Sequence, residues 1–378
     1  MFKSRRANTV LRIALLVLLF YLFLVGIRLT GISFKLFGQD FAEQLITLYS
    51  NPFIGLFTGI LVTSIIQSSS TTTSLIVGLA GSGMLPIESA IPMVMGANMG
   101  TTITNVLVSL TFITRKEDFR RAFAAATVHD FFNLLTIIVF FPLEIYFHII
   151  EKSALFLTSV FEGVGGVTFT SPLKLIISPT VESFENFLLD TASLADIVAG
   201  IIMLVVALVL VITALIYFVR TIRFLTTEQT EKFIDKYLFR NTVTALLLGM
   251  ILTAIVQSSS VTTSIIVPLV AAGLLGLNRA YPYTLGANVG TTITAILASL
   301  ATVSSDDGQV ISTAGVTVAF CHLLFNIYGI IIFLPLKRIP IYLATRLADI
   351  ATESKIWAFV FVATVFFIIP LVIIFLTR

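Results

Sequence analysis

The feature that most constrains this sequence is an internal repeat. Residues 51–110 align without a gap with residues 241–300, and 30 of the 60 aligned pairs are identical. The densest identities are two polar runs, Gln-Ser-Ser-Ser and Gly-Ala-Asn-x-Gly-Thr-Thr-Ile-Thr, each embedded in apolar sequence. A duplicated polar interruption of hydrophobic segments is typical of a binding site inside a membrane transporter.

The composition places the whole chain in a membrane. Of its 378 residues, 57% are hydrophobic and 11% are charged, and the mean hydropathy is +1.04. A soluble domain carries about 25% charged residues. Nothing resembles a nucleic-acid-binding patch, and the lone Cys321 excludes an intrachain disulfide. The first apolar run, 11–27, has no small-residue cleavage site, so we interpret it as a retained transmembrane helix.

The lengths of the apolar runs predict how each segment meets the bilayer. A spanning helix needs about 20 apolar residues. The apolar arms on either side of each Gln-Ser-Ser-Ser run are shorter than this, so we predict two re-entrant hairpins, 52–83 and 244–273. The segments carrying Gly-Ala-Asn, 91–112 and 280–301, are predicted to cross the membrane as helices broken at that run. Runs long enough to span lie at 11–28, 122–147, 196–220, 312–335 and 357–376.

The repeat continues more weakly past residue 110, where His129 and Asn133 match His322 and Asn326. Each copy then makes three crossings, an odd number, so the second copy must be inverted. The fold predicted is an all-α polytopic membrane protein of two inverted repeats, each with a re-entrant helical hairpin and a broken transmembrane helix. The predicted units are a first repeat (1–150), a connecting loop (151–192), a second repeat (193–338), and an interfacial segment with a final transmembrane helix (339–378).

The basic residues support this topology. They cluster around 3–6, 115–121, 220–240 and 337–338, which fall on one side when the segments are counted in this way. The positive-inside rule makes that side cytoplasmic.

The two Gln-Ser-Ser-Ser runs are candidates for binding an anion. A hairpin tip that begins a half-helix offers unpaired backbone N–H groups and a positive dipole end, and hydroxyls and amides add further donors. Two such tips meeting in mid-membrane suit an anion such as phosphate. The alternative is a pair of structural serine caps. The candidate residues are Gln67, Ser68, Ser69, Ser70, Thr71, Gln257, Ser258, Ser259 and Ser260.

The Gly-Ala-Asn runs are candidates for binding a cation. Unwound carbonyls, amide oxygens and hydroxyls are hard ligands suited to Na⁺; the alternative is close helix packing through glycine and alanine. The candidate ligands are Asn98, Thr101, Asn288, Thr291 and Thr294.

Three further polar residue types stand inside apolar helices. Asp130 is an ionisable residue of the kind that couples ions in transporters, although it could also border an aqueous vestibule without a function. Its repeat partner is Leu323, so this charge is not needed to fold the repeat. His129 with Asn133, and His322 with Asn326, lie one turn apart, and we interpret them mainly as structural hydrogen bonds between helices.

No enzymatic constellation accompanies these residues. The sequence has no metal-ligand cluster, no nucleotide-binding phosphate loop and no Gly-x-Ser-x-Gly elbow. A serine nucleophile with a histidine base is formally available, but a duplicated inverted unit is unusual for a hydrolase. We therefore expect a chain that is not an enzyme.

Taken together, these motifs resemble the type II sodium–phosphate cotransporters. The resemblance rests on both Gln-Ser-Ser-Ser runs, both Gly-Ala-Asn-x-Gly-Thr runs, and the stretch from Asp118 to Asn133. It implies Na⁺-driven symport of inorganic phosphate, with phosphate between the serine tips and Na⁺ at Asn133, Thr291 and Thr294. Asp130 matches the acidic residue that serves an additional Na⁺.

The sequence also departs from the animal members of that family. Phe112, Arg115 and Ala287 replace polar residues, and Lys116 stands in place of an arginine that is associated with phosphate. The sodium stoichiometry therefore stays open.

The function predicted is a Na⁺-coupled phosphate importer that works by alternating access. It needs no cofactor, and Na⁺ is its co-transported ion. The alternatives are a Na⁺-coupled carrier of another oxyanion, or a passive anion channel. The predicted location is a bacterial inner membrane, with phosphate, Na⁺ and the lipid bilayer as partners, no nucleic acid, and a homodimer left open.

Overall fold

The computed structural model describes the chain except for residues 1–10, 20, 23–24, 27–28, 30–32, 34–35, 37–50, 82–84, 161–171, 226–240, 257, 303–312 and 378. Every regular element of the described residues is a helix. Residues 11–19 are helical. The helices after them are α1 Pro52–Ile66, α2 Ser69–Gly81, α3 Ile87–Gly100, α4 Ile103–Leu110, α5 Lys116–Phe147, α6 Ile149–Val160, α7 Pro172–Asn186, α8 Asp196–Leu225, α9 Thr242–Val256, α10 Ser259–Ala271, α11 Leu277–Thr302, α12 Ala314–Phe333, α13 Arg338–Glu353, α14 Ile356–Ala363 and α15 Ile369–Thr377.

Three of the described helices are long and apolar enough to cross a bilayer, by length and composition. They are α5, α12 and the last helix, in which a π-helical turn, Thr364–Ile368, joins α14 to α15. Their positions agree with three of the predicted spans. The predicted connecting loop, 151–192, instead holds most of α6 and all of α7.

Each Gln-Ser-Ser-Ser run joins two helices that are too short to span. In the first copy α1 has 15 residues and α2 has 13, and α9 and α10 have the same lengths in the second copy. The asparagine before each pair starts it in a similar way, because Asn51 accepts from the Phe53 N–H at 2.9 Å and Asn241 from the Thr244 N–H at 2.8 Å. The predicted arms are therefore helices, and re-entry itself remains a prediction.

The Gly-Ala-Asn runs are helical, which corrects the prediction that they are unwound. In the second repeat α11 continues from Leu277 to Thr302 without a break. In the first repeat the helix is interrupted only after the run, at Thr101 and Thr102 between α3 and α4. The broken-helix prediction is thus wrong for the second repeat and displaced by a few residues in the first.

Close packing explains why glycine stands in these runs. A Cβ added to Gly96 would overlap the carbonyl oxygen of Leu56 in α1, and one added to Gly286 would overlap the carbonyl oxygen of Leu246 in α9. Small residues let two helix backbones approach closely, as they do in other membrane helices. These contacts agree with the predicted alternative of close helix packing, because the glycines let α3 lie against α1 and α11 lie against α9.

The two copies pack reciprocally around a shared centre. The tip helix α2 of the first copy lies against α11 and α12 of the second, while α10 of the second lies against α4 and α5 of the first. At the centre, a Cβ on Gly329 would come within 2.6 Å of the hydroxyl of Thr136. These residues are equivalent positions, 193 apart, as are His129 and His322. The Gly329–Thr136 contact therefore brings one position of the repeat against its own counterpart in the other copy.

Candidate transport site

The serine tips begin the second helix of each hairpin. Gln67 ends α1 in the left-handed conformation with φ 55°, and the Ser68 hydroxyl then accepts from the Thr71 N–H at 3.2 Å. Ser258 caps α10 in the same manner, accepting from the Val261 N–H at 3.3 Å. The predicted alternative of serine caps is therefore correct for these two serines. Each cap still sits at the positive end of a helix dipole.

The remaining tip residues are held in the same way in both copies. Ser69 and Ser259 are buried, and Thr73 and Thr263 donate to their carbonyl oxygens at 2.7 and 2.6 Å. Ser260 is also buried. Gln257 lies outside the described residues. The shared geometry means that the two copies present matching hydroxyl-rich turns.

A chain of buried amides and imidazoles links the two repeats. The Nε2–H of His129 donates to Asn288 Oδ1 at 2.6 Å, and His322 does the same to Asn98 Oδ1 at 3.1 Å. Each histidine thus holds the Gly-Ala-Asn asparagine of the other copy, which confirms the predicted structural hydrogen bonds. The reciprocal pattern brings four polar side chains from both copies into one buried cluster.

Asn133 completes one half of this cluster. It accepts from Asn288 Nδ2 at 2.9 Å and donates to the Asn98 carbonyl oxygen at 2.9 Å. Its repeat equivalent, Asn326, makes neither counterpart bond and instead donates to the His322 carbonyl at 2.9 Å. The two atoms that the missing bond would join, Asn98 Nδ2 and Asn326 Oδ1, are buried without a partner among the described residues. The copies are therefore alike in sequence and unlike in bonding at this position.

Asp130 lies beside this cluster on α5. Its side chain is 1% exposed, and within the described part of the chain neither carboxylate oxygen has a hydrogen-bond partner. The hydroxyl of Thr102 faces it but donates to the Met99 carbonyl oxygen at 2.7 Å. An unpaired buried carboxylate is costly, so this position requires a cation or a proton.

The threonines after each Gly-Ala-Asn run are arranged alike. Thr101 and Thr291 donate to the carbonyl oxygens of Ala97 and Ala287 at 2.9 and 3.1 Å. Thr294 is without a partner among the described residues, as is Thr104 at the equivalent first-copy position. A hydroxyl that donates its hydrogen keeps its lone pairs, so all of these oxygens can still face a cation.

The structure brings some of the predicted residues together and adds one that the sequence did not single out. Asn98, Asn133 and Asn288 share one hydrogen-bonded network. The helix that each serine tip begins, α2 or α10, packs mainly against helices of the other copy. The added residue is Asn105, whose buried Oδ1 accepts from the hydroxyls of Thr263 and Ser264 at 3.0 and 3.1 Å. A polar residue four positions after Thr101 was the available signal.

Comparison with known proteins identifies the family to which this chain belongs. The family described as Na⁺/Pi-cotransporter matches residues 22–170 and 210–339. The chain belongs to this family. The sodium–phosphate resemblance expected from the motifs is thereby confirmed, and with it a family of transporters rather than enzymes.

Members of the Na⁺/Pi-cotransporter family resemble the chain along nearly all of its length. The sodium-dependent phosphate transport protein 2A of Ovis aries is 34% identical over 97% of this chain and 68% of its own length. The 2A protein of Rattus norvegicus is 34% identical over 95% and 67%, and the human 2B protein is 31% identical over 96% and 64%. The chain thus spans about two thirds of these relatives. No solved structure matches it.

Proposed function

We propose that this protein couples the import of inorganic phosphate to Na⁺ by alternating access across the cell membrane. The observation that carries the proposal is the pair of serine tips matched residue by residue, in a chain whose relatives are named sodium-dependent phosphate transport proteins. The bacterial inner membrane is the proposed location.

Phosphate is assigned to the space between the two tips. Gln67 to Thr71 in the first copy and Gln257 to Ser260 in the second supply amide groups, hydroxyls and helix N-terminal N–H groups, which are suitable donors for a tetrahedral anion. Na⁺ is assigned to buried oxygens on α5, on α11, and at the end of α3. The residues proposed to supply the oxygen ligands are Asn98, Thr101, Asp130, Asn133, Asn288, Thr291 and Thr294. The unpaired Asp130 carboxylate attracts a cation most strongly because it is the negatively charged ligand among them.

Alternating access is supported by an asymmetry in the Asn cluster, which we define as Asn98, Asn133, Asn288 and Asn326. Asn133 bonds to asparagines of the cluster, and its equivalent Asn326 does not. A transporter needs two states of similar free energy, and inverted repeats supply them when the copies exchange conformations. We infer that the bond made here by Asn133 is exchanged for its Asn326 counterpart in the state that faces the other side. In that state Asn98 Nδ2 donates a hydrogen bond to Asn326 Oδ1, the two atoms that have no partner among the described residues here.

Transport itself is the first test. Purified protein in proteoliposomes is expected to accumulate radiolabelled phosphate against its gradient when an inward Na⁺ gradient is imposed, and to lose accumulation when K⁺ replaces Na⁺. A passive anion channel would equilibrate phosphate without accumulating it, and uptake indifferent to Na⁺ contradicts the proposal. Excess unlabelled sulfate or arsenate is added in the same assay to test selectivity for phosphate. If either anion inhibits radiolabelled phosphate uptake as strongly as unlabelled phosphate does, the protein carries other oxyanions as well.

Asp130 provides a second test, on charge. Asp130→Asn keeps the side-chain shape and removes the charge, so we expect the net charge moved per phosphate to fall by about one, because one Na⁺ loses its carboxylate. Current and radiolabel uptake measured on the same membranes give this ratio. Glu88→Gln, a carboxylate removed far along the chain from the cluster, is the control. An unchanged ratio in Asp130→Asn would exclude the sodium role of this residue.

A further inference from the structure

A basic cavity lies away from the serine tips, at the other end of the second hairpin. Its volume is about 390 Å³. Three distant parts of the sequence build it: the first turns of α5, the connection from α10 to α11, and the middle of α13. Its lining residues include Arg120, Arg121, Gly273, Gly276, Leu277 and Thr345.

The two arginines of this cavity differ in their partners. Arg120 Nε donates to Asp349 Oδ1 at 2.5 Å, so its charge is balanced. Arg121 makes no ion pair with any carboxylate of the described residues. The cavity therefore holds one guanidinium with no ion-pair partner among the described residues, and its planar fork suits two oxygens of a phosphate.

The loop between α10 and α11 lies next to Arg121 and leaves room for its guanidinium group because it carries a glycine there. Gly273 has φ +76°, and a Cβ added there would come within 2.7 Å of Arg121 Nη1. A residue with a side chain would be strained and would displace the guanidinium. Next to it, Gly276 and Leu277 bring the start of α11 to the cavity wall, so the positive end of that 26-residue helix adds to the same field.

The position of the cavity agrees with a route for the transported anion. The charge pattern assigns the basic clusters 115–121, 220–240 and 337–338 to the cytoplasmic side. The structure brings together elements next to these clusters, because α5 contacts both α10 and α13. The 13 residues of α10 separate the cavity from the Ser258 tip, which at 1.5 Å per residue is about 20 Å.

We propose that this cavity binds a phosphate group and serves as a cytoplasmic subsite through which phosphate leaves the serine tips. This inference rests on the proposed function, because it takes the transported anion as its ligand. An anionic lipid headgroup offers the same chemistry from another source, and the experiment below separates the two.

The test compares Arg121→Gln with Arg346→Gln, which removes the same charge from α13 next to Thr345 without lining the cavity. Phosphate exchange is measured in Na⁺-loaded proteoliposomes of oriented protein, with internal and external phosphate varied separately. Arg121→Gln is expected to raise the half-saturating phosphate concentration on the cytoplasmic side about 10-fold and to leave the other side within about 2-fold. Arg121→Lys should recover part of the loss, and Gly273→Ala should reproduce it.

The outcomes separate the possible explanations. Equal half-saturation on the cytoplasmic side in Arg121→Gln and wild type overturns the subsite. If adding phosphatidylglycerol to phosphatidylcholine vesicles raises the wild-type value and leaves that of Arg121→Gln unchanged, the ligand is a lipid headgroup and the exit role is overturned. If the wild type transports no phosphate, the proposed function fails instead. Binding of radiolabelled phosphate in detergent, lost in Arg121→Gln and kept in Arg346→Gln, would then still support the cavity as a phosphate site.

Discussion

Gly286→Ala is expected to destabilise the folded protein by about 3 kcal/mol, although alanine is the better helix former by about 1 kcal/mol. The added methyl group would overlap the Leu246 carbonyl oxygen, and backbone cannot move aside as a flexible side chain can. Because α9 and α11 form one of the most extensive contacts in the protein, separating them also displaces Asn288 and the cluster around it. Transport should therefore fall together with stability.

The measurement is the thermal melting of the detergent-purified protein, followed by size-exclusion chromatography. Gly276→Ala is the matched control, since a Cβ added there meets nothing within 4 Å, and its melting temperature should stay close to that of the wild type. Gly96→Ala should repeat the loss, because its Cβ would overlap the Leu56 carbonyl oxygen in the first copy. A Gly286→Ala protein as stable as the control would contradict the packing role of these runs.

The repeat allowed much of the fold to be predicted from the sequence. Equal spacing places equivalent helices at equivalent positions, so the hairpin helices around Gln67 follow from it. Hydrogen bonds from His129 and His322 to other helices were also predicted, and the structure adds that each reaches the other copy. Burial of polar side chains in an apolar helix requires partners, and the partners available at that depth are the repeated asparagines.

The prediction of unwound Gly-Ala-Asn runs was wrong for a physical reason. Glycine and asparagine are weak helix formers, and in isolation they suggest a break. In the folded protein Gly286 is required by the close approach of α9, and the contact outweighs the low propensity. The local sequence does not contain that information, because the neighbouring helix lies about 40 positions earlier in the chain.

The basic cavity could not be predicted from the sequence for a related reason. Arg121, Gly273 and Thr345 belong to segments far apart in the chain, and a cluster of arginines near a predicted cytoplasmic boundary has an ordinary topological explanation. Only the packing of α13 against α5 shows that Arg120 forms an ion pair with Asp349, whereas Arg121 has no ion-pair partner among the described residues.

Alanine substitutions in the Asn cluster are expected to change the relative populations of the two transport states. If the copies exchange conformations, Asn133→Ala removes a bond pair from the state described here, and Asn326→Ala removes its counterpart from the opposite state. Leaving a buried amide group without its partner costs about 1–3 kcal/mol. Each single variant should therefore shift the populations about 10-fold, in opposite directions, and slow the transport cycle.

The shift can be measured as a distance between the hairpins. Phe53 on α1 and Ile251 on α9 are not equivalent positions, so an exchange of conformations between the copies changes the distance between them. Their side chains are 46% and 52% exposed. Cysteines at both positions in a Cys321→Ser background carry nitroxide labels for double electron–electron resonance. Wild type should show two distance populations, with Asn133→Ala enriching one and Asn326→Ala the other. If both variants shift the populations in the same direction, the exchange is excluded.

The double variant gives the sharpest form of this test. Removing Asn133 and Asn326 together takes the same bonds from both states, so the cost cancels in the difference between them and the populations should return toward the wild-type ratio. A purely structural role predicts the contrary, because two losses of packing and hydrogen bonding in one buried cluster would then add. Compensation between two destabilising changes requires two states that each use one of these asparagines, and that requirement is what alternating access by exchange of the repeats supplies.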